Sequence, residues 1–454
     1  MKTVGKDKRI WYPFTQMAEF ENDDSSVGIP TIVAADGVYL IDEKGNRYID
    51  GVSSLWVNLH GHNHPKINSA IEAQLRKFAH STLLGLKSEP ALKLSKKLSK
   101  ILPKELTRIF YSDNGSTAVE VALKACYQYW HNLDKKTKRK KFVAFENAYH
   151  GDTLGAVSVG GVELFHSIYR DLLFDVLRAP SPYCYRCKFE MTPKSCGMKC
   201  LTEFKRLVSE NAEKIAAVIL EPLVQCAGGI IVHPKGFLKR VKEVCDEHKI
   251  PLILDEVAVG FGRTGTMFAF EQEGIVPDVL CLAKGITGGY LPLAVTIFKE
   301  SVYESFIGEY EKTFFHGHTY TGNALSCAAA LANLEIFDEE KSLKKLPPKI
   351  KRLTTLLERF KELEIVGDVR QCGFIAGVEL VKNKTTKEPF KLSERIGHRV
   401  IRRARKYGVI MRPLGNILVF FPPLVIAEEQ IELLLDAAFR STKEVQDELK
   451  THLR

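Results

Sequence analysis

The chain has 454 residues, 45% of them apolar and 26% charged, with 65 basic against 55 acidic side chains. That composition excludes a disordered or fibrous chain, and no run of about 18 uncharged apolar residues is present to span a membrane. The formal charge of +10 is modest for this length and fits a solvated surface, so it requires no nucleic-acid partner.

At about 150 residues per domain, the length predicts two or three domains. Lys2, Lys6, Lys8 and Arg9 precede no apolar stretch, so no secretory signal is expected and a reducing cytoplasm is the expected compartment. Residues 1–80 hold short strand pairs with turn chemistry at Glu43-Lys44-Gly45-Asn46, and are expected to pack with the C-terminal part. Between about 105 and 300, β-rich runs at 141–145, 215–220, 251–254 and 279–282 alternate with amphipathic stretches such as 117–130 and 236–248. The runs are almost wholly apolar, as in strands buried on both faces. This pattern predicts an α/β fold, with a large mainly parallel-sheet domain over 81–330. Residues 331–365 read as a long connecting helix broken near Pro347 and Pro348. Strand-like runs at 374–381, 409–411 and 417–421 and a helix over 428–449 predict a smaller α+β domain over 331–454.

Chemistry gathers at the ends of the large domain's runs. One run ends in Asp255, where open α/β sheets place ligand-binding groups. The next leads through Ala283 to Lys284, followed by Gly285, Gly288 and Gly289. Lysine is rarely buried unless paired or functional, and burial makes its amine a competent nucleophile. Such a lysine can form a Schiff base, and Asp255 can keep the ring nitrogen of pyridoxal phosphate protonated. Gly115 and Ser116 open an amphipathic helix whose first N–H groups suit a phosphate. Tyr149 follows the run at 141–145 and can lie on the ring face. Each signal has a bland reading alone, as an N-cap or an acid-terminated strand. Together, at successive strand ends, they favour a cofactor site.

On these residues the chain resembles the class III, fold-type-I pyridoxal-phosphate aminotransferases over essentially its whole length. The matching stretches are Asp113-Asn-Gly-Ser116, Tyr149-His-Gly-Asp152, Glu221-Pro222, Leu254-Asp-Glu-Val257, Gly260-Phe-Gly-Arg-Thr-Gly265, Ala283-Lys-Gly285 and His316-Gly-His-Thr319. The resemblance implies a homodimer with shared active sites and small-molecule substrates. Lys284 would hold the cofactor and shuttle the proton, Asp255 would bind the ring nitrogen, and Tyr149 would stack on the ring and face the substrate. Gly115 and Ser116 would hold the phosphate, helped by His318 and Thr319 of the other subunit. Arg412 would pair with a substrate carboxylate, Gly317 would line the pocket, and Glu221 would border it. The stretches 11–17, 53–56 and 409–413 are most similar to the branch of the family that serves biotin synthesis. There the acceptor is an amino-oxo acid and the donor S-adenosylmethionine or lysine, with Phe14, Leu55 and Trp56 at the substrate. A general ω-amino acid:pyruvate aminotransferase and an aminomutase are the alternatives on the same core.

Three departures bear on the substrate. The family often has Tyr where this chain has Phe14, and a Trp pair where it has Leu55-Trp56. Many members carry Arg three residues before a Pro-Pro pair, where this chain has Val419. Its absence argues against a dicarboxylate donor and for a cationic one.

Other patterns fall outside this chemistry. Gly260-x-Gly262-x-x-Gly265 matches a dinucleotide fingerprint, but no helix long enough for a βαβ unit is expected after it. His60, His62 and His64 read as a structural loop, and the basic run 135–141 as a solvated one. Six cysteines are scattered, several of them in apolar runs as small hydrophobes. Cys184-x2-Cys187-x8-Cys196-x3-Cys200 has the spacing of a structural zinc knuckle, in an insertion over 180–202. Reduced thiols and a redox disulfide pair are the alternatives there.

Overall fold

The computed structural model describes residues 9–22 and 28–451, so Lys2, Lys6 and Lys8 lie outside the described residues. Its centre is a seven-stranded sheet. The order across it is Leu106–Ser112, Ala294–Lys299, Val279–Leu282, Leu252–Asp255, Ile215–Leu220, Lys141–Phe145 and Val176–Ala179. Ala294–Lys299 is antiparallel to both neighbours, and the other pairings are parallel. The apolar runs follow from burial on two faces. Ile253, Val279 and Cys281 pack toward the helix Gly115–Leu133, while Leu252, Leu254, Leu280 and Leu282 join Phe204 and Phe237 on the other side. Strands that share one direction therefore end at one edge, where the ends of five of them and the loops that follow carry Asp113, Tyr149, Glu221, Asp255 and Lys284.

A second, antiparallel sheet runs Val366–Cys372, Ile375–Asn383, Ile417–Phe420 and Pro413–Leu414, with Glu388–Pro389 beside the second strand. Helices Leu346–Glu358, Ile396–Ala404 and Glu428–Thr451 accompany it. The chain's first strands, Ile32–Asp36, Tyr39–Asp42 and Arg47–Asp50, form a third sheet completed in parallel by Val409–Ile410. The turn at 43–46 closes as its residues suggest, with Asp42 accepting from the N–H of Lys44 and Asn46.

The helix expected over 331–365 and broken near Pro347 and Pro348 is two helices, Ala324–Glu339 and Leu346–Glu358, the first beginning before residue 331. The chain breaks before the prolines, which occupy the first turn of the second helix, where a missing N–H costs nothing. The strand Val366–Cys372 lacks a clean alternation and shows only when paired with Ile375–Asn383. Among the described residues no helix is long and apolar enough to cross a membrane.

Candidate active site

The strand ends enclose a cavity of about 460 Å3 lined by Trp56, Asn114, Gly115, Ser116, Tyr149, Glu221, Asp255 and Lys284, among others. That volume suits a cofactor-sized ligand. At its floor, Asp255 Oδ2 lies 2.7 Å from His150 Nδ1, and Oδ1 accepts from Val257 N–H at 3.0 Å. Each oxygen has one protein donor and keeps a lone pair for a protonated ring nitrogen.

Lys284 follows its strand in a left-handed conformation, φ 45°, which a side chain rarely adopts. Its ammonium lies 5.4 Å from the Trp56 ring centroid. Burial pushes the Lys284 amine down from its ordinary range, and the negative charge of Asp255 works against that shift. Glu221 is buried, accepts from Tyr149 N–H at 3.1 Å and Cys226 N–H at 2.9 Å, and is pushed up to about 8 by burial and then by Asp255. Tyr149 donates to Asp152 at 2.6 Å, and burial with this bond raises its phenol.

The phosphate cradle is built by close approach. Asn114 caps the helix Gly115–Leu133 in a reciprocal pair with Thr117, leaving the first-turn N–H groups at the cavity. A Cβ on Gly115 would come within 2.6 Å of Val257 Cγ1. Gly151, φ 123°, lies so close to Ser116 that a Cβ there would overlap its hydroxyl. Ser116 Oγ in turn accepts from Asp152 N–H at 3.1 Å. These residues fit pyridoxal phosphate: a helix N-terminus for the phosphate, a fixed carboxylate for the ring nitrogen, and a buried amine in the same cavity.

One wall rests on a turn whose backbone conformation carries no sequence signal. Ser53, Ser54, Leu55 and Trp56 all have positive φ, between 48° and 72°. Left-handed conformation costs about 1–2 kcal/mol per residue. It is held by Ser53 Oγ donating to Phe421 O at 2.6 Å and Ser54 Oγ to Asp50 at 2.7 Å. Trp56 then stacks on Phe421 at 5.1 Å, and Arg263 lies over Phe421 at 4.7 Å. Arg263 is fully buried and donates to the carbonyls of Pro422 and Asn58 at 2.6 and 2.8 Å, and burial pushes it down to about 9. The glycine fingerprint around it is followed only by a short 3-10 turn, Ala269–Glu273, and serves to seat this guanidinium. Leu55, by contrast, is exposed.

The remaining expected residues are more peripheral. Phe14 is exposed and meets Phe165 edge-on at 5.4 Å, and Phe165 meets Tyr149 at 6.2 Å. Phe165 carries no sequence signal, and it links the N-terminal segment to the cavity. Arg412, Gly317, His318 and Thr319 are exposed and do not line the cavity of this chain. His318 Nδ1 stands 3.5 Å from Asp113, and Thr319 O is 2.9 Å from His80 Nε2. Arg412 follows Val409–Ile410, the strand paired with Arg47–Asp50 that leads to Trp56. His60 is buried, His62 pairs with Asp50, and His64 caps a helix and pairs with Glu340. Arg139 of the basic run lies over Trp130 at 4.2 Å.

Fold and site define a pyridoxal-phosphate aminotransferase of fold type I. The family Aminotransferase class-III matches residues 22–440, and the chain belongs to it. It is 54% identical to the adenosylmethionine-8-amino-7-oxononanoate aminotransferase of Geobacter sulfurreducens, across 96% of this chain and 95% of that one. The Aquifex aeolicus protein of the same name is 50% identical over 99% of both. Among solved structures, that of the Methanocaldococcus jannaschii protein of this name superposes with a TM-score of 0.91 at 45% identity, covering 96% of this chain and 97% of the other. A PLP-bound amine transaminase from an uncultivated Pseudomonas species reaches the same TM-score at 34% identity, covering 97% and 99%.

Proposed function

We propose that this chain transfers an amino group to 8-amino-7-oxononanoate, giving 7,8-diaminononanoate for biotin synthesis. The observation that carries this reading is near full-length identity of about half to relatives named for that reaction. Their name also supports S-adenosylmethionine as donor, with lysine the other cationic candidate. The lack of an arginine at Val419 fits both and disfavours a dicarboxylate.

Bound pyridoxal phosphate supplies the electron sink for the carbon that loses its proton. Lys284 carries that proton to and from the substrate carbon, its amine kept basic but less readily charged by burial. Asp255, oriented by His150 and Val257 N–H, holds the positive ring nitrogen. Gly115 and Ser116 receive the phosphate. Trp56, backed by Phe421, excludes water above Lys284. Arg412 receives the acceptor's carboxylate, and Phe14 and Leu55 border its alkyl chain. A second copy of the chain brings His318, Thr319 and Gly317 to the phosphate side, and their exposure here supports that use. The dimer acts in the cytoplasm.

The test is to supply 8-amino-7-oxononanoate with S-adenosylmethionine and with lysine separately, following product by mass. Diaminononanoate with either donor supports the reading and identifies the donor. Amination of pyruvate by β-alanine without diaminononanoate would overturn it in favour of a general ω-aminotransferase.

A further inference from the structure

The hairpin of Val224–Gln225 and Ile231–Val232 turns through residues 226–230, and this tip joins the cavity to the second sheet. On one side it faces the cavity. Ala227 lines it, and Cys226 N–H donates to Glu221, whose other oxygen accepts from Tyr149 N–H. Gly228 lies so close to the loop before Tyr149 that a Cβ there would overlap Asn147 O. On its other side the tip lies on the second sheet. A Cβ on Gly377 would come within 3.0 Å of Ile230 Cβ, and one on Gly229 within 2.7 Å of Ile417 Cδ1.

The tip is strained. Ile230 has φ 55°, a left-handed conformation that a β-branched residue rarely adopts. Such a conformation persists only where its surroundings over-determine it. Arg370 of the second sheet does so here. Its Nε donates to Ile230 O at 2.8 Å and to Gly229 O at 3.1 Å, and its Nη2 also donates to Gly229 O. Nη1 donates to Asp368 and to Glu379, each at 2.7 Å. The planar fork thus holds two carbonyls on one side and two carboxylates on the other.

Glu379 is buried and is gripped from a third element as well. Tyr183 and Arg186 of the insertion before Lys199–Asn211 both donate to it, Arg186 at 2.6 Å. Burial would raise the Glu379 carboxyl, but Arg370, with Tyr183 and Arg186, holds it below its ordinary range. The insertion is therefore a strap from the central sheet to the second one. Its cysteines form no part of this anchor. Cys184, Cys187, Cys196 and Cys200 are free thiols, and among the described residues no three ligating groups stand together for a metal. The zinc expected from their spacing thus has no preformed site, and Glu379 is what ties the strap down.

A buried ion pair is weak evidence for stability, and apolar packing alone would join two sheets. What a charged fork adds is direction, and it is aimed at the tip whose far face meets Glu221. We propose that Arg370 is a positioning residue for amino transfer. By holding the carbonyls of Gly229 and Ile230 it fixes the hairpin tip, and through Cys226 N–H and Glu221 it fixes Tyr149 beside the cofactor.

The inference rests on the family's cofactor-dependent amino transfer and not on the acceptor proposed above. Its test follows the amine half of the reaction in the full-length holoenzyme, as loss of the visible cofactor band. The amine is S-adenosylmethionine, or whichever of lysine and β-alanine the unaltered chain accepts, so a wrong donor does not count against Arg370. Arg370→Lys keeps a charge beside Glu379 and Asp368 but loses the fork to the two carbonyls. At saturating amine it should slow band loss about tenfold, with KM for the amine changed less than about twofold. In a Glu221→Gln background, where the link to the hairpin is already open, the same substitution should slow it less than about twofold. Hydrogen exchange in the holoenzyme should quicken about tenfold at the Cys226 and Tyr149 amides and stay unchanged at Ile253 of the central sheet. A mere brace would lower the melting temperature without this dependence on Glu221. Equal slowing in both backgrounds, no slowing in the folded variant, or unchanged exchange at Cys226 overturns the proposal. If Arg370→Lys does not fold, Glu379→Gln decides. It keeps the shape of the clasp but weakens its charge, and should slow band loss about threefold with the same dependence on Glu221. An unchanged rate there overturns the proposal.

Discussion

The cofactor side of the cavity is made of residues that each follow their own strand: Asn114 to Ser116, Tyr149, Glu221, Asp255 and Lys284. The opposite side presents Trp56, backed by Phe421, while Phe165 and Phe14 approach Tyr149 from outside the cavity lining, so these aromatic groups are brought together from across the chain. The first set is positioned by the backbone ladder of one sheet, so its geometry follows from the sheet itself. The second is positioned by a strained left-handed turn and by stacking, and is the part free to vary with substrate. Chemistry and specificity therefore rest on different kinds of structural support.

Substitutions can break that division or sharpen it. The largest effect is expected from Lys284→Ala, which should lower kcat by more than about 10^3-fold and abolish the visible band of the lysine-bound cofactor. Appreciable residual turnover in single-turnover assays would contradict its role. Arg263→Met should come next, on stability. It leaves the carbonyls of Asn58 and Pro422 without their buried donor, and urea denaturation should show a loss of about 2 kcal/mol. Gly115→Ala should weaken cofactor binding about tenfold, or about 1.4 kcal/mol. Adding Val257→Ala should restore most of it, because Val257 Cγ1 is the atom the new methyl meets. A fluorescence titration with pyridoxal phosphate would read both variants.

Phe165→Leu tests the aromatic side and should be milder. It should raise KM for the acceptor about threefold with kcat unchanged, since Phe165 touches Phe14 and Tyr149 but no proton-transfer group. An equal fall in kcat would move it to the chemical side. The smallest effect concerns pH. Glu221 is pushed up to about 8 when folded, against an ordinary carboxylate value of 4.5. Between these values the folded chain holds a proton that the unfolded chain has lost. Stability contributed by Glu221 is thus complete below about 4.5 and lost as pH rises to about 8. Glu221→Gln should flatten that part of a melting-temperature profile, and an unchanged slope would assign it to Glu256, raised to about 8 by the same burial.

The cofactor side is largely legible in the sequence. An apolar run ending in Asp255, another ending before Lys284, and a glycine at a helix start are short-range patterns, each complete within about ten residues. The pairing of His150 with Asp255 is not legible there, although His150 is the neighbour of Tyr149 in the motif. Which acid it meets depends on which strand lies beside it. The turn at 53–56 is hidden for another reason: Ser-Ser-Leu-Trp has no glycine to announce positive φ, and only the bonds to Asp50 and Phe421 hold it. The glycine pattern around Arg263 has the form of a nucleotide fingerprint, while the fold uses it to bury a guanidinium. Arg412 and His318 stand out only by family resemblance, and in one chain they lie outside the cavity.

By itself the sequence determined the buried strands, the helices between them and the chemistry at their ends, because those depend on local periodicity and on side chains adjacent in the chain. Tertiary structure decided the strand order, the reversal of Ala294–Lys299, the aromatic wall and the docking of the cysteine strap on Glu379. These join residues up to several hundred positions apart, such as Ser53 and Phe421. Their energies arise only when packing removes water from both partners, and no local propensity encodes that.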